Sequence, residues 1–134
     1  HHKHSYYVIR HSDRLSGFND HEIEVIAQIA RYHRKSAPKA KHPEFQHLRP
    51  DDQQRVRVLA ALLRVAIALD RSHRGAVDHI DVSIDAGSDD KPGAVVVALH
   101  PDGEVEVDLE MESAVQRRGL LETVLGRSVD VVLA

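Results

Sequence analysis

The sequence of 134 residues predicts an α+β fold, in which a helical subdomain is followed by a small β-β-β-α-β subdomain. Two observations support this division. Apolar residues recur with a roughly helical period before Arg74 and alternate strictly after Asp78. The charge changes at the same place, because residues 1–76 carry 14 basic and 8 acidic side chains whereas residues 77–134 carry 4 basic and 13 acidic ones. We therefore predict a helical subdomain over 1–76 and an acidic subdomain over 77–134.

Capping signals place a helix in the first subdomain. Asn19 is a favourable N-cap and Glu22 completes a capping box, so the helix is predicted to begin at Asp20. Its apolar stripe continues to His33, and the segment 36–38 is predicted to end it. A short helical turn is predicted over 43–48.

A long apolar helix is predicted over 51–72, with Pro50 at its start. It is apolar nearly all round, which predicts a central position. Arg57, Arg64 and Arg71 recur every seven residues and form one stripe, which is either a solvated edge or a basic binding surface. Asp70 lies on the other side, at the end of an apolar face, where a buried carboxylate needs a partner.

The acidic half is predicted to contain four strands and one helix. Alternating residues give a strand around 80–84, an apolar strand over 94–99 and a third over 104–109, with the last two forming a hairpin. A helix over 112–125, stopped by Gly126, precedes a strand over 129–133. We find no nucleophile, metal cluster or phosphate loop in this half and interpret it as scaffold or contact surface.

Composition excludes several classes of protein. The absence of cysteine excludes disulfides and thiolate zinc sites. There is no apolar run long enough for a membrane span and no signal-peptide pattern, so we expect a soluble cytoplasmic protein without membrane partners. A start at His1 inside a predicted helix suggests a fragment of a longer chain, truncated at its N-terminus.

Three segments, 1–7, 30–35 and 68–73, combine imidazoles, one carboxylate and many cations, which suit phosphoryl oxygens or a divalent metal. We predict that the phosphoryl oxygens of an anionic partner bind a surface formed by Lys3, Arg31, Arg34, Lys35, Arg64, Arg71, His73 and Arg74. RNA is a more distant alternative. Basic charge alone gives salt-sensitive, sequence-independent affinity, so we expect no specific nucleic acid partner.

With their order and spacing, these segments resemble the C-terminal region of the exopolyphosphatase and guanosine pentaphosphate phosphohydrolase family. The resemblance rests on the motifs at 1–7, 29–35, 59–64 and 68–73 and on the acidic tail that includes 124–129. It implies that catalysis, the hydrolysis of a terminal phosphoanhydride with magnesium, belongs to actin-like N-terminal lobes that are absent here.

The helical segment is also similar to the HD superfamily. By motif position, His4, His33 and Asp70 resemble its later metal ligands. The chain contains no His-Asp dipeptide, so the central ligand pair is missing and these three are an incomplete site. A second interpretation is that His33 is a hydrogen-bonded core histidine paired with Asp70.

We therefore expect an accessory domain that binds polyphosphate or guanosine pentaphosphate and supports domain closure or homodimerisation. The fragment alone is expected to be inactive, with no firm cofactor of its own. The alternatives are a truncated HD-type metal-dependent phosphohydrolase and a purely structural dimerisation module.

Overall fold

The computed structural model describes the backbone of residues 2–134 and the side chains of residues 3–134; His1 and the side chain of His2, which begin the first motif, lie outside this range. Six helices and three strands follow one another in the described chain. They are α1 His2–Arg10, α2 Asp20–Arg31, α3 Pro43–Gln46, α4 Pro50–Leu69, β1 Val77–Ile84, β2 Val95–Pro101, α5 Asp108–Arg117, α6 Gly119–Leu125 and β3 Val129–Leu133. The predicted α+β class, with helices followed by a small β subdomain, is confirmed.

The chain forms two compact units, one ending at Ala61 and the other covering Leu62–Ala134. This division falls inside α4, whereas the sequence-based boundary at Ala76 marks a change of hydrophobic period and stays a prediction.

In the first unit, α1 packs on α2. The capping box at the start of α2 is present as predicted: the Asn19 side chain accepts from the Glu22 N–H, and the Glu22 carboxylate accepts from the Asn19 N–H. The helix ends at Arg31, five residues before the predicted end at Ser36. It ends early because the Tyr32 ring is drawn into the core and Lys35 takes a left-handed backbone conformation with φ of 57°.

Helix α4 begins at Pro50, as predicted, and one of its faces is buried. Its buried face consists of Val56, Ala60, Ala61, Val65 and Ala68, while Leu59 and Leu62 are exposed. The helix ends at Leu69, so the segment 70–73 is a turn instead of a last helical turn. Asp70 therefore lies exposed in that turn, contrary to the predicted buried position.

The second unit contains a mixed three-stranded sheet in the order β1-β2-β3. Strand β2 pairs antiparallel with β1 and parallel with β3, so both of its edges are filled. Helix α5 packs on β3 and on α6. The buried side chains of the sheet come from β2 and the start of β3 and are Val95, Val97, Leu99 and Val129.

The predicted third strand over 104–109 was wrong. This segment is a loop that leads into α5 at Asp108. Its alternating sequence fits a strand, but the edge of β2 that β1 leaves open is paired with β3. Because the chain returns through α5 and α6 before it enters β3, β3 runs parallel to β2. The predicted strand over 129–133 and the stop at Gly126, which has φ of 66°, are confirmed.

Candidate functional site

A cleft of about 390 Å³ opens on the first unit where the beginning of α1, the end of α2 and the start of α3 meet. It combines two cationic side chains, three hydroxyl groups, an imidazole and one carboxylate. The lining residues are Lys3, Tyr6, Arg31, Tyr32, Ser36, His42, Pro43 and Glu44. This is the candidate functional site of the helical unit.

Ion pairs and a phenol hydrogen bond hold α1 against α2 at the edge of the cleft. The Tyr6 hydroxyl donates to the Glu24 carboxylate, 2.7 Å from Oε1, and Arg10 makes a double hydrogen bond with Asp20 at 2.9 and 3.0 Å. Burial and the Glu24 carboxylate raise the pKa of Tyr6, which therefore stays protonated. Because Lys3 lies three residues before Tyr6, it faces the same side of α1 and reaches the cleft.

The back of the cleft is aromatic. Tyr32 is fully buried, its ring lies parallel to that of His42 with centroids 5.6 Å apart, and it meets Phe45 edge to face at 6.0 Å. The Tyr32 hydroxyl lies 2.7 Å from Nδ1 of His42. Burial raises the pKa of Tyr32 and, with the nearby charges of Arg31, Lys39 and Lys41, lowers that of His42. This wall supplies shape and a neutral imidazole at neutral pH.

Arg31 is the buried cation of the site. Its side chain is only 10% exposed, and Nη1 donates to Glu44 Oε2 at 3.1 Å. Hydrogen bonds from the backbone and from Arg31 keep the pKa of Glu44 below its usual value, so the pair is ionised. Nε of Arg31 is buried without a hydrogen-bond partner, which is a costly state for a charged donor. A guanidinium that lines a cleft suits an anionic oxygen.

Gln28 fixes the short helix α3, which carries Glu44. It is completely buried on α2, and Nε2 donates to the Glu44 carbonyl at 2.9 Å. Gln53 of α4 donates to the carbonyls of Phe45 and Leu48, at 3.1 and 3.2 Å, which closes the end of α3. Arg57 lies 4.9 Å from the centre of the Phe45 ring, so the first arginine of the predicted stripe packs on an aromatic face in this unit.

Four of the predicted phosphate-binding residues belong to the first unit, and the structure brings Lys3 and Arg31 together in the cleft. Arg34 and Lys35 are exposed in the turn that follows α2, directly before the cleft-lining Ser36. The turn is constrained, because Lys35 is one of two non-glycine residues with positive φ in the described chain, the other being His73.

The other four predicted binding residues belong to the second unit. Arg71, His73 and Arg74 are exposed in the turn after α4. Arg64 is half-buried, and burial together with the charge of Arg117 lowers its pKa. Their part in a common binding surface stays a prediction.

Two of the three predicted metal ligands, His33 and Asp70, have local partners. His4 is exposed on α1, and Nδ1 of the half-buried His33 contacts the Ala30 carbonyl just after α2 ends. Asp70 is exposed, with its carboxylate 3.4 Å from Nδ1 of His73. The metal site and the pairing of His33 with Asp70 both stay predictions.

Sequence reasoning missed Tyr6, Tyr32, His42 and Glu44 as site residues. The two tyrosines lie in the motifs at 1–7 and 30–35, but the sequence pattern indicates ligand binding by the charged residues beside them. His42 and Glu44 flank Pro43, the first residue of a four-residue helix. Their meeting with α2 is a tertiary contact that no local period signals.

Comparison with known protein families gives a match over most of the chain. A family model described as Ppx/GppA phosphatase, domain III, matches residues 1–113. The chain therefore belongs to the Ppx/GppA phosphatase family, and the match corresponds to a C-terminal region of that family. The resemblance inferred from the motifs is confirmed. A search of curated proteins finds no match.

No helix in the described part of the chain combines the length and apolar character needed to cross a lipid bilayer.

Proposed function

We propose that this chain is an accessory domain of a phosphoanhydride hydrolase that binds polyphosphate for catalytic lobes located elsewhere in the parent protein. Membership of the Ppx/GppA phosphatase family supports a C-terminal domain of such a hydrolase. Magnesium and the reacting groups are assigned to the catalytic lobes. The domain's own contribution is to hold the polymer.

The observation that carries this proposal is the cleft with Lys3 and the buried Arg31. Arg31 lines the cleft and its side chain is only 10% exposed, so its charge is weakly screened by water and attracts an anionic oxygen in the cleft. Lys3 adds an exposed cation on the opposite helix, and Arg34 and Lys35 extend the positive charge beyond the cleft in the following turn. A chain of phosphates fits such a run because its charges repeat and require no base-specific contacts.

Titration with polyphosphates of increasing length at two salt concentrations tests this proposal. We expect affinity to rise with length and to fall with salt, and Lys3→Gln together with Lys35→Gln to weaken binding at least several-fold. Lys91→Gln serves as the matched control, because it removes a positive charge from an exposed site in the other unit. Binding that is independent of length, or equally weakened by Lys91→Gln, would reject the proposed track.

Guanosine pentaphosphate is the alternative ligand, and it is separated from polyphosphate in the same experiment. Competition by the nucleotide at concentrations where inorganic tripolyphosphate fails would favour a nucleotide site. We expect the two to compete in proportion to their phosphate charge, since the cationic groups named above contact phosphoryl oxygens.

A second candidate function, homodimerisation, is favoured by an exposed apolar row on β1. Ile80, Val82 and Ile84 share one face of this edge strand and are 40, 60 and 64% exposed. Exposed apolar rows on edge strands usually mark contact surfaces. We propose that a second copy of this chain covers the apolar row. The first unit carries 11 basic and 7 acidic side chains, whereas the second unit carries 7 basic and 14 acidic ones. The two units therefore have opposite net charge, and two copies can pair with complementary charges.

Sedimentation equilibrium of Val82→Asp tests the dimer. Ser83→Asp is the control, because it adds the same charge one residue away on the other face of β1. We expect Val82→Asp to shift the chain to monomer and Ser83→Asp to leave the dimer in place. A wild-type chain that is monomeric at high micromolar concentration would exclude this second function while leaving the polyphosphate proposal intact.

A further inference from the structure

The pairing of β1 with β2 brings two histidines face to face on the exposed side of the sheet. His79 lies opposite His100 in the register, and their rings are parallel within 10° with centroids 4.0 Å apart. These are the two histidines of the acidic half, in which the sequence alone indicates no metal cluster. They are 21 positions apart in the sequence, so their meeting depends on the strand register.

Asp81 completes a set of three ligand-type side chains. It is two residues beyond His79 on β1, so both side chains point to the same face of the sheet. Its Oδ2 lies 2.7 Å from Nε2 of His100. One ligand atom from each of the three residues lies within 4.8 Å of the other two.

A neighbouring carboxylate orients the first histidine. Nδ1 of His79 lies 2.8 Å from Oδ2 of Asp78. Because a carboxylate only accepts hydrogen bonds, Nδ1 carries the proton and Nε2 keeps its lone pair for a ligand. A carboxylate that holds the second ring nitrogen is the usual support of a metal-binding histidine.

We propose that His79, Asp81 and His100 form a binding site for a divalent transition metal, with zinc the best match, on the sheet of the second unit. Two imidazole nitrogens and one carboxylate oxygen are typical zinc ligands, and three protein ligands leave a fourth position for water or a partner's group. On binding, His100 changes tautomer: solvent takes the proton from Nε2 and returns one to Nδ1, so that the Nε2 lone pair and the Asp81 carboxylate turn to the metal. All three side chains have solvent access, so they can close from the 4.8 Å limit to the spacing of about 3.3 Å that tetrahedral zinc requires.

This site is separate in location and chemistry from the cleft of the first unit. The cleft offers cations to anionic oxygens, whereas the sheet site offers lone pairs to a cation in the acidic half of the chain. The surrounding charge favours a cation, since residues 77–134 carry 13 acidic and 4 basic side chains. The proposal therefore does not depend on polyphosphate binding, and either one can fail alone.

Zinc titration monitored by the side-chain nitrogen signals of histidine in NMR tests the site directly. Histidines 1, 2 and 4 are near the terminus and bind metals readily, so the titration uses a chain carrying His1→Gln, His2→Gln and His4→Gln. We expect one zinc per chain and a selective shift of Nε2 in His79 and His100. Cobalt in place of zinc should give the visible absorption of a four- or five-coordinate centre.

Ligand variants complete the test. Asp81→Asn preserves the size of an exposed side chain and should weaken zinc binding at least 10-fold, while Asp78→Asn should weaken it about 10-fold or more by freeing the His79 ring. His47→Gln removes an exposed histidine elsewhere and should leave the affinity unchanged. Equal affinity in Asp81→Asn and the parent chain, or zinc-induced shifts confined to other histidines, would overturn the proposal.

Discussion

The Tyr32 hydroxyl lies 2.7 Å from Nδ1 of His42, and this hydrogen bond joins the end of α2 to the start of α3 at the back of the cleft. The surroundings of the imidazole favour its neutral form. Burial and the charges of Arg31, Lys39 and Lys41 lower the pKa of His42 below its usual value of 6.5. The cleft is therefore built around a histidine that resists protonation.

Acid should weaken the helical unit through His42. In the unfolded chain the imidazole takes up a proton near pH 6.5, whereas in the folded chain it does so only at lower pH. The unfolded state consequently binds more protons between these values, and the free energy of unfolding falls as the pH drops through this window. Urea unfolding at pH 7.5 and 5.5 measures this fall, which should be smaller in His42→Gln. The exposed His47→Gln should behave as the parent chain, and an undiminished fall in His42→Gln would contradict the assignment.

Glu44→Gln should change stability and anion affinity in opposite directions. The carboxylate pairs with the buried Arg31 at 3.1 Å, so its loss should cost about 1 to 3 kcal/mol of unfolding free energy. The same change removes a negative charge from the cleft wall, so that the Arg31 guanidinium can pair with an anionic ligand instead of Glu44. Calorimetric titration with tripolyphosphate should show a several-fold gain in affinity. Glu104→Gln, an exposed carboxylate of the second unit, should change neither quantity, and a weaker tripolyphosphate affinity in Glu44→Gln would argue against the cleft as the anion site.

The elements with local signals were predictable from sequence, and those set by tertiary pairing were not. The start of α2 was found because the capping box of Asn19 and Glu22 is a contact within four residues. The strand expected over 104–109 failed because β3 takes the edge of β2, a competition between distant segments. In the cleft, Lys3 and Arg31 were found from charge, whereas His42 and Glu44 depend on how α3 packs against α2.

Glu110 should be a stability determinant of the second unit. It is 1% exposed in the first turn of α5, and its Oε1 accepts from the Ser72 N–H at 3.0 Å. Burial acts to raise the pKa of Glu110. This effect is outweighed by hydrogen bonds from Ser72 and from the helix backbone and by the charge of Arg74, so the pKa lies below the usual 4.5. Glu110→Gln should cost about 1 to 3 kcal/mol, measured by urea unfolding at pH 7.

The same residue predicts a pH dependence with a definite sign. Because the folded pKa of Glu110 lies below that of the unfolded chain, its stabilisation is complete above about pH 4.5 and is lost as the pH falls through the folded pKa. Unfolding measured between pH 6 and 3 should therefore show a shallower loss in Glu110→Gln. The exposed Glu112→Gln on the same helix is the control and should retain the steep loss.

Gly93 should tolerate no side chain, because the end of the β1–β2 connection passes too close to β1. A Cβ at this position would lie 1.7 Å from the Asp85 carbonyl oxygen, well inside contact distance. The backbone cannot easily retreat, since the Asp85 N–H donates to the neighbouring Ala94 carbonyl at 2.9 Å. We expect Gly93→Ala to cost at least about 1 to 3 kcal/mol, as overpacking does, and to lower the melting temperature. Gly119→Ala is the matched control, because a Cβ there meets nothing within 4 Å and its backbone is helical, so it should be neutral or slightly stabilising. Equal melting temperatures for the two variants would mean that the strand connection moves freely, and would contradict the close approach of Gly93 to Asp85.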